Sequence, residues 1–123
     1  MSQGRIEHVN LTVTDNERSA AFFEKLLGWY RRWAGKSQMG GTSIHMGEDA
    51  TYLALYSDGH DHSRQVKGVP MNHVGFLVDD LDAAERVVIE AGLEPFGHDD
   101  YDPGRRFYFF DWDGIEFEVV SYE

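Results

Sequence analysis

The sequence contains no cysteine, and this absence excludes several kinds of site. Disulfide bonds, thiolate metal sites and cysteine nucleophiles all need that residue. Basic residues are also scarce, with 11 lysines and arginines against 22 acidic residues and a net charge of -11. Nucleic acids and anionic membranes bind positively charged surfaces, so we expect neither as a partner.

Long apolar segments are missing as well. No run of residues reaches the length of a transmembrane helix, and the opening MSQGRIEHVN lacks the apolar centre of a secretion signal. We therefore expect a cytoplasmic protein. The chain has 123 residues, 41% of them hydrophobic, which is enough for one folded domain with its own core.

One pattern occurs twice along the chain, at residues 7–28 and 71–92. Each copy has a His-Val pair, an alternating apolar run, an acidic turn, an amphipathic run and a glycine. His73 follows His8 at the same spacing at which Asp80 follows Asp15. Two copies in a chain this short predict two similar halves that share one site.

Periodicity predicts the order strand, helix, strand, strand, strand in the first half. The period-2 segments predict strands at residues 6–14, 29–33, 42–46 and 51–56. The helix is expected at 16–27, with Asp15 as its N-cap and Gly28 at its end. Residues 57–70 have no period and are rich in turn formers, which predicts a linker between the halves.

The second half repeats this order. We predict strands at residues 71–78, 93–96, 106–110 and 115–122, with an acidic loop at 97–104. Asp79 or Asp80 caps the helix, whose expected buried side chains are those of Ala84, Val87, Val88 and Ala91. The sequence therefore predicts an α+β fold, a single domain of two βαβββ repeats at about 5–56 and 71–122.

Candidate metal ligands share one predicted face of these strands. Side chains alternate along a strand, so His8, His73 and Glu118 all point away from the apolar, helix-covered side. Two imidazoles and a carboxylate form a facial triad that suits Fe(II), Mn(II), Zn(II) or Ni(II). We predict a divalent metal ion bound by these three residues. Glu116 shares the face and is either a competing ligand or a solvated residue near the sheet edge.

The motifs at both ends of the chain resemble a known family. The opening HVNL with its helix and Gly28, and the closing FYFFDWDGIEFEV at 107–119, resemble the vicinal oxygen chelate superfamily of glyoxalases, bleomycin- and fosfomycin-resistance proteins and extradiol dioxygenases. The closing segment is similar to the family's FYFxDPDGNxIEL hairpin, whose last glutamate ligates the metal and corresponds to Glu118. Trp112 replaces the usual proline. The resemblance implies a curved sheet cup, a homodimer and a small substrate chelated through vicinal oxygens.

The resemblance also favours one activity. Glyoxalase-like members usually add a fourth ligand at the place of Ala54, which cannot ligate. A three-ligand site is similar to those of the dioxygenases, so we expect an extradiol-dioxygenase-like oxygenase that uses Fe(II). In this interpretation Tyr108 hydrogen-bonds the substrate and His98 transfers a proton. Thr51, however, occupies the place of a catalytic histidine of the ring-cleaving enzymes.

Several alternatives stay open at this point. The protein could be a glyoxalase-like lyase or isomerase, a fosfomycin-type thiol transferase, or a metal-free protein that sequesters an aromatic drug. A histidine at the start of a strand, such as His8, is often structural. Tyr108 has the alternative of an ordinary strand aromatic. His98 has that of a solvated loop residue, which is also what we expect of His60 and His62.

Overall fold

Two units make up the chain in the computed structural model, which describes residues 4–38, 40–101 and 104–123. The first unit ends at His62 and the second begins at Ser63. Each unit contains one helix and one four-stranded mixed sheet. The predicted α+β fold of two βαβββ modules is therefore confirmed.

In the first unit the two strands nearest the helix in sequence lie at opposite edges of the sheet. The elements are β1 (His8–Thr12), α1 (Asn16–Leu27), β2 (Tyr30–Lys36), β3 (Thr42–Gly47) and β4 (Tyr52–Ser57). The sheet order is β1-β4-β3-β2, with β1 and β4 parallel and the other pairs antiparallel. The predicted elements are all present, and β2 runs further than expected.

The second unit has the same topology. Its elements are β5 (Val74–Leu77), α2 (Leu81–Glu90), β6 (Phe96–Tyr101), β7 (Gly104–Phe110) and β8 (Glu116–Ser121), in the sheet order β5-β8-β7-β6. The strand predicted at 71–78 is shorter than expected, so His73 lies immediately before β5.

The prediction of an acidic loop at 97–104 is wrong for the residues that the structure describes there. β6 continues to Tyr101, β7 begins at Gly104, and residues 102–103 lie outside the described part of the chain. The strand predicted at 93–96 correspondingly retains only Phe96. Asp99 lies directly opposite Arg106 of β7. The pairing with β7 thus overrides the low strand propensity of aspartate.

Aspartate caps begin both helices. The Asp15 carboxylate accepts a hydrogen bond from the Arg18 amide at 3.1 Å, and that of Asp80 accepts one from the Ala83 amide at 3.0 Å. Both contacts satisfy amide groups that the first helical turn leaves unpaired. The first helix ends at Gly28, whose φ of 69° is left-handed and favours glycine.

Each helix covers one face of its own sheet. In the second unit the buried side chains between α2 and the sheet are those of Phe107, Phe109, Phe117 and Val119, with Leu81, Ala84 and Val88 from the helix. In the first unit Ile44, Met46, Leu53 and Leu55 play the same part beneath α1. Val87 and Ala91, predicted to be buried, are half-exposed. No helix in the described residues is long and apolar enough to cross a bilayer.

Candidate metal centre

His73 and Glu118 meet on the face of the second sheet that is opposite α2. Glu118 lies in β8 directly beside Gly75 of β5, and His73 is two residues before that glycine. Because side chains alternate, both point to the same side. Gly75 has no side chain to separate them, and His73 Nε2 lies 3.0 Å from Glu118 Oε1. Two of the three predicted ligands are therefore neighbours.

The second oxygen of Glu118 is bound by an arginine. Arg106 Nη1 donates a hydrogen bond of 2.9 Å to Glu118 Oε2, and the two side chains are only 14% and 12% exposed. Charge-assisted hydrogen bonds of this kind are strong and directional. The contact fixes the carboxylate so that Oε1 faces His73.

The other ring nitrogen of His73 also has polar neighbours. Its Nδ1 lies 2.8 Å from Asn72 Oδ1 and 3.8 Å from Glu116 Oε2. The imidazole is thus held between an amide on one side and the Glu118 carboxylate on the other. Its orientation is defined at both nitrogens.

Glu116 is buried, contrary to one of the two expectations for it. Its side chain is 3% exposed, and Lys67 Nζ lies 2.6 Å from its Oε1 as an ion pair. A solvated position was expected near the sheet edge, but β8 pairs with both β5 and β7 and is an inner strand. The Oε1 atom accepts no hydrogen bond of normal geometry from the described residues. Lys67 therefore neutralises the charge of the Glu116 carboxylate without forming a hydrogen bond of normal geometry.

His8 lies on the corresponding face of the first sheet, in a row of rings contributed by successive strands. Its ring stacks on that of Tyr52 at a centroid distance of 4.9 Å, and Tyr52 in turn stacks on His45 at 4.6 Å. His45 contacts Trp33 at 5.0 Å, and the Arg32 guanidinium lies 4.4 Å from the Tyr52 centroid. This face therefore combines titratable and aromatic groups.

His45 was not identified from the sequence. The signal was available, because Ile44 and Met46 are buried apolar residues on either side of it and alternation places His45 on the face of His8. Burial lowers the pKa of His45, and the nearby His8 and Arg32 lower it further. Directly opposite His45 in β4 is Ala54, whose methyl group leaves that position without a ligand atom.

Tyr108 lies on the same face as His73 and Glu118. It is directly opposite Glu118 in the β7–β8 ladder, and its ring meets that of His73 edge-on at 5.8 Å. This is the side on which the sequence placed it. The prediction that Tyr108 contacts a substrate stays a prediction.

His98 lies on the other side of the sheet. Its ring stacks on Phe107, a core residue, at 6.0 Å, and its Nε2 lies 3.1 Å from Glu85 Oε2 on α2. The cause is a register shift in β6, where Phe96 pairs with Tyr108 but Asp99 pairs with Arg106. The extra residue reverses the face of the intervening side chains. This placement counts against the proton-transfer role predicted for His98.

His60 and His62 both contact Asp58, which is close to them in the sequence. Asp58 accepts a hydrogen bond from the His60 amide at 3.0 Å, and its carboxylate lies 2.8 Å from His62 Nε2. The two hydrogen bonds lower the pKa of Asp58.

The fit of a metal ion can be judged from the pair in the second unit. Two cis ligands at about 2.1 Å from one cation lie about 3.0 Å apart, and His73 Nε2 and Glu118 Oε1 are 3.0 Å apart. The pair thus fits two coordination positions. Within 4–38, 40–101 and 104–123, however, no three histidine, aspartate or glutamate side chains form a metal-binding group. His8 lies in the first unit.

Comparison with known proteins identifies one family. A sequence model described as the Glyoxalase/Bleomycin resistance protein/Dioxygenase superfamily matches residues 5–119, nearly the whole chain. No curated protein matches the sequence.

Solved structures of low sequence identity share the fold. A glyoxylase/bleomycin resistance protein/dioxygenase domain from Frankia sp. EAN1pec is 24% identical, with a TM-score of 0.82 over 98% of both chains. The fosfomycin resistance protein FosX from Listeria monocytogenes is 19% identical, with a TM-score of 0.75 over 98% of this chain and 94% of that one. Another structure of this FosX is a complex with Mn(II) and sulfate.

A plant enzyme shares the fold over part of its length. A glyoxalase I mutant from Zea mays is 24% identical, with a TM-score of 0.77 over 94% of this chain. The match spans 45% of the maize chain, so the present chain is about half as long.

Proposed function

Because the chain belongs to the Glyoxalase/Bleomycin resistance protein/Dioxygenase superfamily, we propose that it is an enzyme dependent on a divalent metal ion. The ligands in this proposal are those that the sequence predicts, His8, His73 and Glu118. The observation that carries the proposal is the 3.0 Å separation of His73 Nε2 and Glu118 Oε1, which matches two adjacent positions around one cation.

The substrate in this proposal is a small molecule with two neighbouring oxygen atoms. Three protein ligands leave three further positions on a six-coordinate ion. Ala54 supports this number, because it offers no ligand atom on the face that carries His8. Two substrate oxygens and one further small ligand would fill the open positions. When bound, such a cation supplies a Lewis acid and, as Fe(II), a centre that reacts with O2.

The residues of the second unit have separate tasks in this reaction. Arg106 keeps one carboxylate oxygen of Glu118 engaged, so the other is presented for coordination. Tyr108, opposite Glu118, would donate a hydrogen bond from its hydroxyl group to a substrate oxygen. We assign no task to His98 in this proposal, because its ring lies on the helix side with Glu85.

The finer assignment is an extradiol-dioxygenase-like oxygenase with Fe(II), and an oxygen-uptake experiment tests it. Protein purified without oxygen is loaded with Fe(II) and offered a panel of catechols and hydroxy-keto compounds. We expect one Fe(II) per chain and O2 uptake with at least one compound. His73→Ala should remove both, and His98→Gln should retain both.

Other outcomes assign other members of the superfamily. Isomerisation of a methylglyoxal–thiol adduct with Zn(II) or Ni(II), in the absence of O2 uptake, would replace the oxygenase by a glyoxalase-like enzyme. Metal-dependent addition of a thiol to fosfomycin would indicate a transferase. Tight binding of a bulky aromatic compound by protein that takes up no metal would overturn the enzyme proposal in favour of sequestration.

A further inference from the structure

A small cavity in the second unit lies between the segment that precedes β5 and the start of β8. Its volume is about 90 Å³, which is enough for several water molecules or for a small organic group. Two charged residues, Lys67 and Glu116, line it. The apolar part of its wall is contributed by Val66, Val69, Pro70, Met71 and Ile115. Small-molecule sites usually combine apolar walls with a few polar groups in this way.

The loop that lines this cavity is fixed by its own backbone. The Gln65 amide donates a hydrogen bond of 3.2 Å to the Asp113 carbonyl in the β7–β8 turn, and the Gly68 amide donates one of 2.7 Å to the Met71 carbonyl. The first contact attaches the loop to the hairpin, and the second closes a turn within the loop. A ligand therefore does not have to order this segment, which lowers the free-energy cost of binding.

Glu116 places a buried negative charge at the cavity. Its side chain is 3% exposed, and Lys67 Nζ lies 2.6 Å from its Oε1. The Oε1 atom is buried and accepts no hydrogen bond of normal geometry from the described residues. Its other oxygen, Oε2, lies 3.8 Å from His73 Nδ1. A buried carboxylate oxygen without an aligned donor is unfavourable. A group that brought aligned N–H donors to Oε1 would therefore stabilise it better than the present contact does.

Lys67 can leave this position at a small cost in free energy. Its side chain is 43% exposed, and it ends in a compact, strongly hydrated ammonium group on a flexible stem. Holding such a side chain in one rotamer costs conformational entropy, which is regained when the ammonium group returns to water. Lys67 thus neutralises Glu116 and also occupies the place at which another cation would bind.

We propose that this cavity binds a small organic cation, a guanidinium group on a short alkyl chain, which replaces the ammonium group of Lys67 at Glu116. A cation is favoured over a neutral or anionic ligand, because the buried carboxylate then keeps a counter-charge when Lys67 leaves. A guanidinium is favoured over an ammonium, because it is planar and weakly hydrated and has several N–H donors in a fixed geometry. The alkyl chain would contact the apolar wall. This site is separate from the proposed metal ion and does not require it.

The test uses the metal-free full chain and ethylguanidinium chloride, with sodium chloride at the same concentration as the reference. In 1H–15N NMR titrations we expect saturable shifts of the backbone amides of Lys67, Gly68 and Ile115, at millimolar concentrations of so small a ligand. Ethylammonium should bind more weakly, and the neutral propionamide more weakly still. Equal binding of propionamide, or no saturable shift with ethylguanidinium, would overturn the proposal.

Removal of the competing side chain gives a sharper prediction. Lys67→Ala leaves Glu116 buried without its ammonium partner, so the variant should melt at a lower temperature than the wild type. Ethylguanidinium should restore much of that loss. It should also bind the variant about tenfold more tightly, since a competitor that occupies a site about nine-tenths of the time lowers the apparent affinity by that factor. Weaker binding to Lys67→Ala than to the wild type would contradict the proposal.

Two further variants are the controls. Lys67→Ala combined with Glu116→Gln removes both charges, and its melting should not respond to ethylguanidinium. Arg31→Ala breaks an ion pair of the same length, because Arg31 Nη2 lies 2.6 Å from Glu17 Oε2, but Glu17 is 68% exposed. Its carboxylate is then solvated, so ethylguanidinium should act on this variant no more than sodium chloride does. A response of either control equal to that of Lys67→Ala would show a non-specific effect and overturn the proposal.

A free alkylguanidine and an arginine side chain offer the same group, and one further titration separates them. N-acetylarginine methylamide has a guanidinium group attached to a peptide backbone, which is too large for the cavity. It should therefore bind more weakly than ethylguanidinium. Tighter binding of the arginine derivative would overturn the small-molecule assignment in favour of an arginine from another chain.

Discussion

The carboxylate of Glu118 contacts two other side chains, and the proposed ion would be its third partner. Arg106 binds one oxygen, and His73 lies against the other. Glu116, two residues earlier on the same face, is instead tied to Lys67. The two glutamates are thus a matched pair, identical in type and face and different in their partners.

This difference predicts which glutamate retains the metal. Glu118→Gln and His73→Ala should abolish binding of the divalent ion, because each removes a proposed ligand. Glu116→Gln should leave about one ion per chain, since it lies on the Nδ1 side of His73. Metal content after dialysis is the measurement. Loss of metal in Glu116→Gln, with retention in Glu118→Gln, would show that Glu116 is the ligand and that the assignment to Glu118 is wrong.

His45 should contribute to the pH dependence of stability. Its pKa is lowered from the usual 6.5 in the folded protein, first by burial and then by His8 and Arg32, against the opposing effect of Glu7. The unfolded chain therefore binds a proton more readily, and protonation favours unfolding. The destabilisation is complete below the lowered pKa and disappears above about 6.5.

Urea unfolding of the metal-free protein across this window checks the effect. The free energy of unfolding should rise as the pH increases towards 6.5. His45→Gln should flatten that rise, because the variant has no proton to bind there. Equal slopes for the variant and the wild type would show that His45 keeps its ordinary pKa.

At the scale of elements, the two helices begin in the same way. Asp15→Ala and Asp80→Ala each remove a side-chain acceptor from the first helical turn and should lower the free energy of unfolding by about 1 kcal/mol. Asp79, the alternative cap suggested by the sequence, is the matched control. Asp79→Ala should cost less than half as much, and an equal cost would mean that the cap extends over both aspartates.

Alternation and periodicity predicted most of the elements because each sheet has one covered face. Strands such as β3 and β8 alternate between buried apolar and polar side chains, and α1 begins and ends at its capping residues. These signals are local and lie in the residues themselves. The same reasoning placed Glu118 and Tyr108 correctly on one face of the second sheet.

Two features of the second unit could not be predicted in this way because they depend on strand partners. The extra residue in β6 is defined only by the pairing of β6 with β7, and it places His98 on the helix side of the sheet. The burial of Glu116 follows from the position of β8 between two other strands. Neither the sheet order nor a register shift is encoded in the period of a single strand.

At the scale of the whole molecule, we expect a homodimer in solution. Small members of the superfamily commonly form homodimers. In addition, the side chains of Trp33 and Tyr30 on β2 are 48% and 46% exposed. Large exposed aromatic side chains are enriched in interfaces. Light scattering at micromolar concentration should give about twice the chain mass of 14.1 kDa. A mass equal to that of one chain would contradict the prediction.

The irregular outer strands bear on how the protein behaves at high concentration. β2 and β6 each end the hydrogen-bonded order of their sheet, and each has a register shift, between Arg31 and Trp33 and between Phe96 and Asp99. A flat, regular outer strand is a template on which another chain can add, and fibres grow by repeating that step. Bulges twist such a strand locally and interrupt its row of free amide and carbonyl groups. The same irregularity that turned His98 away from the ligands therefore protects the chain against aggregation through this strand.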